Sequence, residues 1–229
     1  MKTAIVTGAS GNLGMAVVQK LVANGYRVVG TVLPGDQTTF DLPANQFEKA
    51  TVDLTDEDQT RDLILSVIEK SGTLDTVVLT VGGFAMGNIA QTSLASITRQ
   101  YELNFATAYN AARPAFIQML KQNHGRIFII GARPGLQAWH SVGMTAYGLA
   151  KSLLVRLAEM MNLEAKGHNV VTTVVVPSTI DTPQNRIAMP DADYNAWVRA
   201  EDIANTIYYH CTDEAAPLRE TVIKVYNNA

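Results

Sequence analysis

Short runs of apolar and β-branched residues recur along the chain and alternate with longer amphipathic stretches. Near-continuous valine and isoleucine is typical of strands that are buried on both faces. The seven runs span 3–7, 28–33, 47–52, 76–81, 126–130, 170–176 and 222–226. Helical periodicity fills the intervals, at 15–22, 56–70, 94–122, 144–165 and 200–212. This repeat predicts an α/β fold, a doubly wound domain with a mostly parallel seven-stranded sheet flanked by helices.

Length and composition favour one folded domain over residues 1–229. The chain is 47% hydrophobic and 17% charged, which is enough for one well-packed core. A net charge of −3 argues against a nucleic-acid partner, since such proteins usually carry a basic patch. The single cysteine, Cys211, excludes an intrachain disulfide, and we predict a small core residue there. No run approaches the ~20 apolar residues of a membrane span, and the start is unlike a signal peptide, so we expect a cytoplasmic protein with no membrane partner.

The first strand leads directly into a glycine-rich turn and then into a helix. Gly8, Gly11 and Gly14 follow the strand at intervals of three. In a dinucleotide-binding turn, Gly8 permits the sharp bend, Gly11 lets the backbone approach a pyrophosphate, and Gly14 lets helix and strand pack closely. Free N–H groups at the start of the helix would then face the phosphates. A plain strand-to-helix turn is the alternative, but the strand–turn–helix context favours a nucleotide site.

A second motif, Tyr147 with Lys151, lies on the predicted helix 144–165. Residues four apart share a helix face, so the Lys151 ammonium can lie near the Tyr147 phenol. A nearby cation lowers the pKa of an acid, which would bring the phenol toward proton transfer at neutral pH. Because this spacing is common, an ordinary solvated helix pair is the alternative.

Taken together with Asn104, the two motifs resemble the short-chain dehydrogenase/reductase family across essentially the whole chain. The combination is specific, whereas no single part of it is. The resemblance implies an NAD(P)-dependent oxidoreductase with one NAD(P)-binding Rossmann domain. It implies that Tyr147 delivers or removes a proton, and that Lys151 depresses the pKa of Tyr147 and binds the nicotinamide ribose. Asn104 would help to hold a water for proton relay, although a helix-interior amide that bonds nearby backbone is an alternative.

The resemblance assigns further residues to the cofactor. Asp53 and Leu54 look like the pair that meets the adenine, although Asp53 fits an N-cap of the next helix almost as well. The glycines at 82–83 suit close cofactor approach, and a simple strand-ending turn explains them equally well. Residues 177–182 are similar to the segment that meets the nicotinamide amide. The expected cofactor residues are Gly8, Ser10, Gly11, Asn12, Leu13, Gly14, Asp53, Leu54, Val81, Gly82, Gly83, Tyr147, Lys151, Pro177, Ile180 and Thr182.

Three positions depart from the family pattern. Asn12 stands in the place of the middle glycine, where we expect backbone binding to survive because asparagine tolerates a positive φ. Ala132 occupies the place of the catalytic serine, and we expect Ser141 and Thr145 to be loop and helix-cap residues rather than substitutes. At Val32 the second strand has neither an acid for a 2′-hydroxyl nor an arginine for a 2′-phosphate. The choice between NAD and NADP therefore stays open, with a slight lean toward NAD.

The missing serine narrows the resemblance to the dihydropteridine reductase branch of the family. Residues 81–88, 131–133 and 180–197 are similar to that branch, and Phe84 could stack on a flat heterocycle. We predict that the substrate residues are Phe84, Ala132 and Trp139, and that 177–199 is a substrate-covering lid. The branch has an acid after its second strand and lacks the asparagine at 104, so reduction of quinonoid dihydropterin is an alternative rather than the leading prediction.

The leading prediction is hydride transfer from NAD(P)H to a carbonyl or conjugated imine, with Tyr147 as proton donor. A catalytically silent NAD(P)-binding sensor is the alternative from another class. We expect a small-molecule substrate, no metal site, and a homodimer or homotetramer, since helices 94–122 and 144–165 resemble those that pair between family subunits. Burial inside the monomer is the alternative for the apolar residues of these helices. These residues are Ala108, Ala111, Ala112, Ala115, Leu157, Met160 and Met161.

Overall fold

The computed structural model describes residues 1–228 and contains a parallel seven-stranded sheet. Residues 1–228 contain nine strands, of which seven form this sheet. They are β1 (Thr3–Thr7), β2 (Arg27–Val32), β3 (Phe47–Thr51), β4 (Thr76–Leu79), β5 (His124–Ile130), β6 (Asn169–Pro177), β7 (Ile180–Asp181), β8 (Val198–Arg199) and β9 (Val222–Val225). The order in the large sheet is β3-β2-β1-β4-β5-β6-β9, and every neighbouring pair is parallel. Strands β7 and β8 form a separate two-stranded ribbon. The predicted α/β, doubly wound fold is confirmed.

Eight α-helices accompany the strands within residues 1–228. They are α1 (Asn12–Ala23), α2 (Glu57–Ser71), α3 (Leu94–Tyr101), α4 (Thr107–Gln122), α5 (Arg133–Leu136), α6 (Thr145–Glu164), α7 (Pro183–Ala188) and α8 (Ala200–Tyr209). A one-turn π-helix, Glu102–Ala106, joins α3 to α4, so the predicted helix 94–122 is interrupted near its middle. In this described part of the chain, no helix is both long and apolar enough to cross a membrane.

The central strands are buried because the sheet has a core on each face. Side chains alternate along a strand, so Ala4 and Val6 of β1 face one core while Ile5 faces the other. The first core lies under α1 and α8, and the second lies under α2, α4 and α6. The edge strands β3 and β9 are only partly buried. Since helices cover both faces, the carboxyl ends of the strands are left to carry a site.

The alanines of α4 pack inside the chain rather than on its surface. Ala108, Ala111, Ala112 and Ala115 are at most 4% exposed and belong to the second core, as does the buried Met161. The alternative of burial inside the monomer therefore holds for these residues. The exposed apolar residues of α4 and α6 are Tyr109, Ile117, Leu149, Leu153, Met160 and Leu163. The expected homodimer or homotetramer stays a prediction, and pairing through these helices would use the exposed set.

The glycine-rich turn after β1 brings α1 against the strand. Gly8 has a φ of 64°, in the left-handed region that favours glycine. A Cβ on Gly14 would lie 2.1 Å from the Gly8 carbonyl oxygen, so a side chain does not fit there. Gly11 is less constrained, because its φ is −75° and a Cβ would meet its nearest neighbour at 3.4 Å. The close approach of strand and helix thus depends on Gly8 and Gly14.

Replacement of Gly14 by alanine is expected to lower the free energy of unfolding by about 2 kcal/mol or more, because the added methyl group forces the turn and α1 apart. Gly11→Ala is a matched control in the same turn, and it should stay within about 1 kcal/mol of the wild type. Urea denaturation followed by circular dichroism measures both variants. Equal stabilities of the two would contradict the packing argument.

Candidate active site

The glycine-rich turn and the loop after β4 lie side by side at the carboxyl end of the sheet. Thr80 joins the two strand ends: its hydroxyl donates to the Thr7 carbonyl at 2.6 Å, and its N–H donates to Thr7 Oγ1 at 3.1 Å. A Cβ built on Gly8 would lie 3.0 Å from the Val81 side chain. The two segments therefore lie against each other and border the crevice, here called the groove, at which open α/β sheets bind ligands.

Lys151 is buried, with its ammonium group at the end of β5. Helix α6 carries the residue, which is only 5% exposed, and its Nζ donates to the Ile130 carbonyl at 2.8 Å. Gly135 makes room for it, since a Cβ there would lie 2.7 Å from the Lys151 backbone carbonyl. Burial lowers the pKa of Lys151 to about 8, because the charged form loses its hydration.

Tyr147 is half-buried one helical turn before Lys151. Its ring centroid lies 5.8 Å from Lys151 Nζ and 5.2 Å from the ring of Phe84, which meets it edge-on. Burial raises the pKa of Tyr147 to about 12. The structure thus corrects the expectation that Lys151 lowers this pKa. Desolvation of the phenolate is the cause of this shift, because the Lys151 ammonium is directed at the Ile130 carbonyl, and the phenol stays protonated at neutral pH.

Asn104 is fully buried in the π-helical turn between α3 and α4. Its Nδ2 donates to the Gly83 carbonyl at 3.1 Å and to Gln100 Oε1 at 3.0 Å, while its Oδ1 accepts from the Gly83 N–H at 3.2 Å. Such π turns occur frequently at functional sites. The side chain bonds to nearby backbone, as the alternative interpretation had it, and its part in proton relay remains a proposal. The buried Gln100, which sequence reasoning missed, lies one turn before Asn104 and could have been found by that spacing.

Gly82 and Gly83 have too little space for side chains. A Cβ on Gly82 would lie 2.6 Å from Asn104 Oδ1 and 3.2 Å from Lys151 Nζ, and one on Gly83 would lie 2.4 Å from the Leu103 side chain. Gly82 is therefore required by packing against the fully buried Asn104, whereas a side chain on Gly83 would displace only the tip of the partly exposed Leu103 side chain. This packing holds the loop, the amide and the ammonium group in one place.

Ala132 stands where the family pattern has a catalytic serine, and it is buried two residues after the end of β5. Neither Ser141 nor Thr145 takes the place of that serine. The Ser141 hydroxyl donates to the Pro134 carbonyl at 2.7 Å and packs against Gly148, where a Cβ would lie 2.3 Å from Ser141 Oγ. Ser141 is thus the last residue of the 3₁₀ helix Ala138–Ser141 rather than a loop residue, and its hydroxyl is bonded to the backbone. Thr145 is the first residue of α6, and this helix has no side-chain cap, so the predicted capping role of Thr145 is wrong.

Asp53 and Leu54 follow β3, but Asp53 does not cap α2. Its Oδ1 accepts from the N–H and the hydroxyl of Thr55, at 2.9 and 2.7 Å. The cap is Asp56, whose carboxylate accepts an N–H of the first turn at 3.0 Å. Leu54 is buried, and its carbonyl accepts from Asn110 Nδ2 at 3.0 Å. The alternative interpretation of Asp53 as an N-cap is therefore wrong.

An acidic residue that sequence reasoning missed lies beside the glycine-rich turn. Asp36 follows β2 by four residues, and its Oδ1 accepts from the Thr38 N–H at 2.7 Å. A hydrogen bond from the Ser10 hydroxyl, together with those of Thr38, holds the pKa of Asp36 below its usual range. Lys49 Nζ lies 3.9 Å from the carboxylate. The family pattern places such an acid at the end of the second strand, which is Val32 here. Asp36 was missed because it lies four residues later, in a loop that returns to the glycine-rich turn.

The three predicted substrate residues are only partly brought together. Phe84 lies against Tyr147 and is 60% exposed, while Ala132 is buried at the end of β5. Trp139 is 67% exposed on a short 3₁₀ helix, and the ring it faces is that of His140, at 5.8 Å. Of the three, Phe84 is therefore the one in contact with the Tyr147 ring.

The predicted lid segment, residues 177–199, contains β7, α7 and β8. Thr182 caps α7 through its hydroxyl, and Arg186 pairs with Asp181 at 2.6 Å. The Trp197 side chain is buried, and the Trp197 carbonyl accepts from Asn227 Nδ2 at 2.8 Å. The segment is thus internally bonded and is tied at its far end to the residues that follow β9.

The fold and this group of side chains define a class of protein. A family model described as short chain dehydrogenase matches residues 2–192. The chain belongs to the short-chain dehydrogenase family, an oxidoreductase family in which use of NAD(P) is general.

Similarity to particular proteins extends over most of the chain. This chain is 31% identical over 192 residues to the cyclic-di-GMP-binding biofilm dispersal mediator protein of Escherichia coli (strain K12), and the match covers 84% of this chain and 78% of that protein. It is 26% identical over 228 residues to the dihydropteridine reductase of Dictyostelium discoideum, covering 97% and 94%. A crystal structure of a short chain dehydrogenase from Bacillus anthracis str. 'Ames Ancestor' has a similar fold, with a TM-score of 0.84 at 18% identity, covering 99% of this chain and 95% of that one.

Replacement of Lys151 by methionine tests the cost of burying its charge. In the folded protein the pKa of Lys151 is about 8, below its ordinary value of 10.5, so folding disfavours the protonated form. The wild type carries this penalty in full below the folded pKa and loses it as the pH rises toward the unfolded value. We expect the stability of Lys151→Met relative to wild type to fall by up to about 3 kcal/mol between about pH 7 and about pH 10, since each tenfold change in proton affinity is worth about 1.4 kcal/mol.

Urea denaturation across this pH range measures the difference. Lys166→Met is the matched control, because Lys166 is exposed just beyond α6, and it should show no such trend. A stability difference between Lys151→Met and wild type that is independent of pH would contradict the desolvation argument.

Proposed function

We propose that this protein is an NAD(P)-dependent oxidoreductase that transfers hydride to a carbonyl or conjugated imine, with Tyr147 as the proton donor. One observation carries the proposal: the half-buried phenol lies one turn from the buried ammonium of Lys151 and in contact with Phe84, and that ammonium lies beside Gly82 and Asn104. Membership of the short-chain dehydrogenase family supports the class of reaction.

The residues of the groove fit a nicotinamide dinucleotide. The left-handed Gly8 and the crowded Gly14 leave a bare backbone cradle at the start of α1, which suits a pyrophosphate. Tyr147 and Lys151 would hold the nicotinamide ribose. Ile180 and Thr182 would contact the nicotinamide amide. When bound there, the cofactor supplies the hydride, and the protein supplies orientation and the proton.

Proton transfer is assigned to Tyr147 with support from Lys151. The phenol is protonated at neutral pH because burial raises its pKa to about 12. Lys151, with a pKa of about 8, is still mostly charged at neutral pH and can stabilise the phenolate that proton donation leaves behind. Ala132 offers no hydroxyl, so stabilisation beyond that from Tyr147 must come from a bound water or from the conjugation of the substrate itself. This favours a conjugated imine or quinonoid acceptor over a plain ketone.

Tyr147→Phe is expected to reduce turnover by about 10²–10⁴-fold, because it removes the proton donor, and to leave cofactor binding nearly intact. Turnover is followed as oxidation of NADH or NADPH with a panel of quinonoid dihydropterin and simple ketones, and binding is followed by nucleotide fluorescence. Tyr109→Phe, at an exposed tyrosine of α4, is the matched control and should keep the wild-type rate. Unchanged turnover in Tyr147→Phe would remove this residue from the mechanism.

Reduction of quinonoid dihydropterin is the substrate-level alternative. The exposed face of Phe84 beside Tyr147 offers a stacking surface for a flat heterocycle, and the similarity to a dihydropteridine reductase points the same way. The same substrate panel decides this point, since a pterin reductase would turn over quinonoid dihydropterin far faster than any ketone.

A nucleotide-binding sensor without catalysis is the second candidate function. Ala132 in place of serine favours it, as does similarity to a protein whose name describes cyclic-di-GMP binding. The arrangement of Tyr147 and Lys151 favours an enzyme instead. Nucleotide binding without turnover of any acceptor would decide for the sensor.

We further propose that Asp36 makes NAD the preferred cofactor. Its carboxylate is held beside Ser10 of the glycine-rich turn, and the lowered pKa keeps it charged at neutral pH. An acid in this part of a dinucleotide fold accepts a hydrogen bond from the ribose 2′-hydroxyl and repels a 2′-phosphate. Asp36 would therefore distinguish the 2′-hydroxyl from the 2′-phosphate, a role for which the second strand itself has no residue.

Asp36→Asn is expected to raise the ratio of kcat/KM for NADPH to kcat/KM for NADH by about tenfold, through relief of charge repulsion worth about 1.4 kcal/mol. Steady-state kinetics with both reduced nucleotides measures the ratio. Asp41→Asn, at an exposed acid in the same loop, should leave it unchanged. A wild type that prefers NADPH, or an unaltered ratio in Asp36→Asn, would contradict the assignment.

A further inference from the structure

Asn12 and Gln184 connect the glycine-rich turn to the predicted lid segment. Asn12 is the first residue of α1, and Gln184 is the second residue of α7. Although they are 172 positions apart, Asn12 Nδ2 donates to Gln184 Oε1 at 2.9 Å. Both residues are exposed, so their contact lies at the outer rim of the groove.

Asn12 does not serve the turn in the way that its sequence position predicts. Its φ is not positive, since the non-glycine residues with positive φ in 1–228 are Asn123 and Asn227. The N-cap of α1 is Gly11, and no side chain within 1–228 caps this helix. The tolerance of asparagine for a positive φ is therefore not needed here, and the expectation that backbone binding survives at Asn12 stays a prediction. What a side chain at this position adds is the contact with Gln184.

The helix α7 is bonded into its own segment. Arg186 pairs with Asp181, and Asn185 Nδ2 donates to the Ile180 carbonyl at 2.8 Å. The β7–β8 ribbon joins the two ends of the segment. Gln184 points out of this unit toward α1 instead. Its bond to Asn12 therefore fastens the whole unit to the glycine-rich turn.

We propose that Asn12 and Gln184 form a clasp that holds the 177–199 segment over the bound cofactor and slows its release. The inference rests on the proposed function, in which the pyrophosphate lies on the glycine-rich turn and the nicotinamide lies beside Ile180 and Thr182. A dinucleotide that joined these two places would have to pass close to the Asn12–Gln184 bond, because Asn12 adjoins the first place and Gln184 adjoins the second. Neither side chain takes part in hydride transfer, so both are positioning residues.

Release of a reduced nucleotide tests the clasp without turnover. Protein saturated with NADH, or with NADPH if that binds more tightly, is mixed with excess oxidised nucleotide in a stopped-flow fluorimeter. We expect Asn12→Ala and Gln184→Ala each to release the nucleotide about two- to tenfold faster, the range that loss of one hydrogen bond gives. The double variant should be no faster than either single variant, because both changes remove the same bond.

Asn195→Ala is the matched control, since Asn195 is an exposed amide elsewhere in the same segment, and it should release at the wild-type rate. Wild-type rates in both single variants, or additive effects in the double variant, would overturn the clasp and leave the proposed function standing. Failure of the wild type to bind either nucleotide would overturn both.

A covalent link tests the clasp in the opposite direction. Asn12→Cys combined with Gln184→Cys is joined after the nucleotide has bound by a short bis-methanethiosulfonate crosslinker, which forms a reducible disulfide with each cysteine and releases methanesulfinate. Release should slow by about tenfold or more, because exit then requires the whole segment to open, and reduction should restore it. Cys211 is buried and its pKa is raised to about 11, so it should not react. Release from the linked protein at the unlinked rate would overturn the clasp.

Discussion

The burial of the Lys151 ammonium is the constraint on which the site depends. A buried charge is costly unless it is bonded, and here the Ile130 carbonyl at the end of β5 accepts from it. Together with the core residues Leu154, Ala158 and Met161, that bond holds α6 against the sheet, and Tyr147 lies one turn away. It also explains two glycines, because a side chain on Gly82 would meet the ammonium and one on Gly135 would meet the Lys151 backbone.

Desolvation shifts the two ionisable groups of the site in opposite directions. The pKa of Lys151 falls to about 8 and that of Tyr147 rises to about 12, so burial favours the neutral form of each. Attraction between a phenolate and an ammonium acts against both shifts, but the ammonium is directed at a backbone carbonyl. The environment therefore keeps the Tyr147 phenol protonated, which is the state that a proton donor in a reduction needs.

The features particular to this chain lie around that centre rather than in it. Ala132 offers no hydroxyl where the family pattern has a serine, while Asp36 adds a charge beside Ser10 of the glycine-rich turn. The bond between Asn12 and Gln184 is exposed, so its contribution to folding stability is small. Such a contact can still govern how long a ligand stays, because release depends on local opening rather than on global unfolding.

The sequence by itself determined the seven strands of the large sheet, most of the helices and the glycine-rich turn, because hydrophobic periodicity and the steric demands of Gly8 and Gly14 are local. It did not predict the short strands β7 and β8. It also placed Tyr147 and Lys151 on one helix face. Only the tertiary structure decided the direction of their pKa shifts, since desolvation is set by segments distant in the chain. For the same reason it alone decided that the α4 alanines are core and that Asp36 meets Ser10. It also decided that a π turn interrupts the predicted helix 94–122, because Asn104 is held there by Gly83 from another loop.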